Sequence, residues 1–186
     1  MSGGCTVDNN VRLACLLNYV QSSIIKRFIH DVCASDSYKA AVLNLPYFQP
    51  KEGSMFTYTL DVAEMVRAIW ETREGCLNYD YLILGALMHE YKLFDDKLPE
   101  KLALYMRDNS VCENAIAMLV NVVTAPKEDD ENIFTCKTPE SVIIRHTAKA
   151  ARVIAVCGKA SAVKDGQRYI IDYIPVPVLT KPINVK

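Results

Sequence analysis

The stretch that decides the fold is "YLILGALMHEYK", Tyr81–Lys92. Mostly apolar residues run into the pair His89-Glu90, and Lys92 follows two residues after the carboxylate. With Asn78 as a cap, the segment reads as a buried helix from residue 78 to about Tyr91. The His-Glu pair is then either a metal-ligand pair or the wet end of that helix. A histidine in a last turn also suits the helix dipole, which gives His89 an ordinary structural role.

Working outward, a helix is expected before this one, from about Phe56 to Glu71. Leu60, Ala63, Val62 or Val66, and Ile69 or Trp70 form its buried side, and Gly75 ends the region. Further upstream, Asn9–Val32 reads as one long amphipathic helix, with Leu13, Leu16, Leu17, Val20, Ile24 and Phe28 on one face. The segment from Ala34 to Gly53, punctuated by Pro46 and Pro50, reads mostly as loop. Downstream, Pro99 opens a short helix ending near Arg107. Ser110 and Glu113 have the spacing of a capping box ahead of an apolar helix that stops near Pro126. The acidic run after it reads as a solvated loop. Thr138 and Pro139 then cap and open a last helix running to Gly158.

The tail changes character. In "SAVKDGQRYIIDYIPVPV" the pair Asp165-Gly166 sits between β-favouring runs, a hairpin signal, and Pro175, Pro177 and Pro182 exclude a central strand beyond it. The expectation is an all-α bundle of about six helices over residues 1–158. A short hairpin or extended tail follows over residues 159–186.

Composition excludes several classes. The 186 residues carry a net charge of −1 with a pI near 6.3, so no overall field recruits nucleic acid. Seven cysteines occur without C-x-x-C, each at least ten residues from the next. They read as reduced thiols, several of them in apolar helical stretches, rather than a zinc or disulfide framework. No apolar run reaches the length of a membrane span, and the N-terminus lacks a signal-peptide pattern. A cytoplasmic protein without membrane attachment is expected.

Two stretches read together carry a family resemblance. "EGSMFTYTLDVAEMVRAIW", residues 52–70, is similar to a "GGLLEHTLEVA" helix start in one branch of the HD superfamily of metal-dependent phosphohydrolases. "LILGALMHEYK" resembles that superfamily's "LLAALLHDIGK" helix. The branch includes HD domains of conjugative relaxases and of 3′→5′ exoribonucleases, which points towards phages and mobile elements. Past residue 92, only the helix order and "VIIRHTAKAARVIA" keep the likeness, the latter resembling the family's closing "ADRLA" helix.

In that family, imidazoles and carboxylates from separate helices hold divalent metals, which activate water and neutralise phosphate. The resemblance places Tyr58 where the family has its first histidine, and a phenol is a poor ligand for Mn or Mg. His89 and Glu90 stand for the His-Asp pair, the carboxylate being one methylene longer. Phe48, Gln49, Ala125 and Pro126 fall where further histidines belong, and Ala148 falls on the closing aspartate. Lys92 lies one place before the family lysine position, which Leu93 occupies. Only His89 and Glu90 keep metal-binding chemistry, so the resemblance implies a degenerate site with no metal.

Two functions fit these residues. One is a catalytically degenerate HD-like domain that works by binding a protein partner, or by forming a homodimer through its C-terminal tail. The other is a phosphohydrolase or nucleotide-binding protein with a remodelled site. There His89 and Glu90 would hold Mn or Mg together with a phosphate, helped by Asp61 and by Lys92, Arg145 or Lys149. That second reading requires a concave pocket between the helices bearing Tyr58, His89 and Ala148. Nucleic-acid binding through the basic last helix (Arg145, Lys149, Arg152) is a minor third option. His30-Asp31 and the pair Asp61, Glu64 read as solvated surface.

Overall fold

The computed structural model describes residues 8–42, 55–73, 75–127 and 135–157. The expected C-terminal hairpin, the loop around Pro46 and Pro50, Phe48 and Gln49, and the acidic run after Lys127 lie outside the described residues. Among the described residues there are eight α-helices and no strand. They are α1 (Asn9–Leu17), α2 (Ser23–Ala34), α3 (Asp36–Val42), α4 (Met55–Thr72), α5 (Tyr79–Met88), α6 (Leu98–Asp108), α7 (Glu113–Thr124) and α8 (Pro139–Cys157). Short 3-10 turns follow α5 at Tyr91–Leu93 and α7 at Ala125–Lys127.

The centre of the bundle is α5. The Asn78 side chain accepts the Tyr81 N–H at 3.2 Å and starts the helix. Nine of its ten residues are buried, because α4, α7 and α8 all pack on it. The closest approach is at Gly85. A Cβ there would sit 2.5 Å from the Val122 carbonyl oxygen of α7 and would run into Ile144 Cδ1 of α8. Only glycine lets the α5 and α7 backbones come this close with the Ile144 side chain of α8 packed against them.

The expected single helix Asn9–Val32 is two helices. The chain leaves α1 at Asn18, buries Val20, and restarts at Ser22, whose hydroxyl accepts the Ile25 N–H at 3.2 Å. The break is held from outside by Asp80 on the first turn of α5. Its two carboxylate oxygens accept the Gln21 and Ser22 N–H groups at 2.9 and 2.8 Å. Those donors would otherwise be orphans at a helix N-terminus. The buried stripe shifts accordingly, from Leu16 and Leu17 to Ile25, Phe28 and Ile29.

Helix α3 also departs from the expected loop. Ser35 caps it, its hydroxyl accepting the Tyr38 N–H at 3.3 Å, and fully buried Tyr38 and Val42 anchor it. These two changes turn six expected helices into eight. The predicted Ser110–Glu113 capping box does not form. Ser110 has φ +64°, and the Val111 N–H donates back to the Met106 carbonyl at 3.0 Å, so Ser110 closes the end of α6. Glu113 instead pairs with Arg107, Arg107 Nε lying 2.7 Å from Glu113 Oε1. The Thr138 expectation holds, its hydroxyl accepting the Ser141 N–H at 3.1 Å at the head of α8.

Candidate site at the C-terminal end of the central helix

The last turn of α5 fixes His89. Its backbone N–H donates to the Gly85 carbonyl at 2.9 Å. Its ring Nδ1 lies 2.9 Å from the Ala86 carbonyl and 3.2 Å from that of Gly85. Carbonyl oxygens only accept, so Nδ1 carries a proton, and in the neutral form of the ring the lone pair is at Nε2. That lone pair meets the Tyr58 hydroxyl from α4 at 3.2 Å, so the phenol donates to the imidazole. The rings also meet edge to face, with centroids 5.6 Å apart.

Both side chains are sealed: Tyr58 and His89 are each 0% exposed. Burial is the main cause that pushes the Tyr58 phenol well above its ordinary range. The Arg152 charge and a hydrogen bond from Arg152 pull it down, and the Glu90 charge pushes it up. Arg152, from α8, therefore belongs to the same cluster. Its Nη2 lies 3.4 Å from Glu90 Oε1, and that oxygen is 3.7 Å from His89 Nε2. Glu90 is buried, whereas the Arg152 side chain is 38% exposed and forms the outer edge.

The structure thus brings together Tyr58, His89 and Glu90 from the expected set, and adds Arg152. Ala148 is buried on α8, one turn before Arg152. Lys92 and Lys149 are exposed, and Arg145 is buried. The three residues expected to bind phosphate thus differ sharply in access to solvent. Asp61 and Glu64 are not simply solvated. Both pair with Arg12, Asp61 at 2.6 Å, and this clamps α1 to α4. His30 and Asp31 lie on the surface with 74% and 63% of their side chains exposed. The sequence signal for Arg152 was its spacing, since it follows Arg145 by seven residues and Ala148 by four, along one stripe of α8.

These donors do not fit a divalent metal. The one imidazole lone pair is taken by a hydroxyl, the phenol is held neutral, and the nearest carboxylate faces a guanidinium. Among the described residues, no group of three or more His, Cys, Asp or Glu side chains converges as a metal site would require. No described helix is long and apolar enough to cross a membrane. Compared with protein-family models, curated proteins and solved structures, the chain has no significant match.

Proposed function

We propose that this chain is an HD-like helical domain in which hydrogen bonds between side chains have replaced the metal centre, and that it acts by binding a protein partner. The observation carrying this reading is the occupied lone pair of His89. A metal-ligating histidine commonly donates one ring N–H to a backbone carbonyl and offers the other nitrogen to the ion. His89 has the first half of that arrangement, with Nδ1 on the Ala86 carbonyl. The second half is filled by Tyr58, which the resemblance places at a family ligand position. Glu90, at the other family position, has Arg152 as its counter-charge.

Sealing of Tyr58 and His89 also supports binding over catalysis, because no substrate or water reaches a fully buried imidazole without the helices parting. The test is Mn titration of the full chain, with metal content measured after purification without chelator. The expected result is sub-stoichiometric metal and no change in thermal midpoint with Mn. Near-stoichiometric metal that disappears in His89→Ala would overturn the proposal and restore the phosphohydrolase reading.

A further inference from the structure

A groove of about 280 Å³ opens between the C-terminal half of α2, the start of α3 and the segment from Phe94 to Tyr105. None of its lining residues belongs to the His89 cluster. Half-buried Phe94 and Tyr105 contribute aromatic surface, and buried Phe28 backs Tyr105 with the two ring centroids 5.4 Å apart. Three charged residues line it: Asp31, Asp95 and Lys101. The last two neutralise each other, with Lys101 Nζ 2.6 Å from Asp95, whose other oxygen accepts the Lys97 N–H at 3.1 Å. This holds the Asp95 carboxyl below its usual range. Asp31 is different. Its only ion-pair contact among the described residues is His30 Nδ1 at 4.0 Å, on its own helix and largely exposed. The groove therefore combines aromatic walls with one carboxylate that, among the described residues, no lysine or arginine engages.

We infer that this groove seats a single arginine side chain of a protein partner. A volume of about 280 Å³ accommodates one long side chain. Charge and shape set the residue. A guanidinium stacks flat on aromatic faces, its stem covers apolar wall, and its fork of donors matches a carboxylate. Lysine presents a compact, strongly hydrated charge that gains less from flat walls. The inference deepens the binding-module reading but stands on a different face, so this test and the Mn titration fail independently.

The test uses the full ¹⁵N-labelled chain titrated with N-acetyl-arginine methylamide, followed by amide shifts across residues 94–105. N-acetyl-citrulline methylamide, which keeps the shape without the charge, and the lysine analogue are run beside it. Expected are saturable shifts for the arginine probe, weaker binding of both comparators, and about tenfold loss of affinity in Asp31→Asn. The mutated side chain is on the surface, so the variant keeps the fold. Absence of saturable shifts, equal binding of citrulline or lysine, or unchanged affinity in Asp31→Asn would each overturn the assignment.

Discussion

Removing a single oxygen, in Tyr58→Phe, perturbs the cluster with the least disturbance of shape. The phenyl ring keeps the edge-to-face contact with His89, so packing is preserved. What is lost is the donor to Nε2, and at zero exposure no water replaces it. A buried acceptor left unsatisfied costs about 1–3 kcal/mol. Arg152 keeps Glu90 and is partly in solvent, so its response adds little. The expected destabilisation is therefore about 2 kcal/mol, or roughly a 4–8 °C fall in thermal midpoint for a chain of this size.

Urea denaturation of wild type, Tyr58→Phe, His89→Leu and the double variant gives the coupling directly. With His89→Leu the phenol has lost its acceptor, so Tyr58→Phe in that background should cost at least about 1 kcal/mol less than in wild type. A stability change within about 0.5 kcal/mol for Tyr58→Phe, or additive effects in the double variant, would refute the hydrogen bond as the element that closes the site.

Two further outcomes follow from other parts of the fold. Gly85→Ala gains helix propensity of about 1 kcal/mol, yet its Cβ meets the Val122 backbone, so a net loss of about 2 kcal/mol is expected in urea denaturation. Burial is the main cause that pushes the Cys33 thiol up to about 12, while Cys15 and Cys112 are exposed. Iodoacetamide at pH 8 should therefore modify Cys15 and Cys112 well before Cys33, as read by peptide mass mapping. The same shift has a sign for stability. A thiol whose folded pKa is raised contributes fully below its unfolded value, near 8.5, and that contribution is lost as pH rises towards 12.

Much of this architecture is written in local pattern, and the misses have one physical source. The limits of α4, α6 and α8 follow from apolar spacing, Pro99 and the Thr138 cap, all short-range signals. The break between α1 and α2 was hidden because Leu16, Val20, Ile24 and Phe28 keep a helical period across it. What enforces the break is Asp80, 58 and 59 residues away, and no local window contains both partners. Ser110 misled in a different way. Its spacing to Glu113 fits a cap, but closure of α6 needs a left-handed residue there and the serine accepts that role. The cluster was half legible: the resemblance read from the sequence singled out Tyr58, His89 and Glu90, which the fold brings together. Arg152 could not be assigned to Glu90 until the crossing of α8 over α5 was known.

That crossing bears on why a closed cluster is coherent. An imidazole and a buried carboxylate side by side without a metal are two groups in difficulty: a lone pair without a partner and a negative charge in low dielectric. Tyr58 answers the first from α4, with a donor whose ionisation burial suppresses. Arg152 answers the second from α8, with a charge that reaches Glu90 while its outer half stays hydrated. The two solutions depend on each other, because the Arg152 charge also acts on the phenol that serves His89. A histidine at position 58 alone would therefore not make a metal site. Glu90 would still face a guanidinium, and Ala148 would still supply no donor.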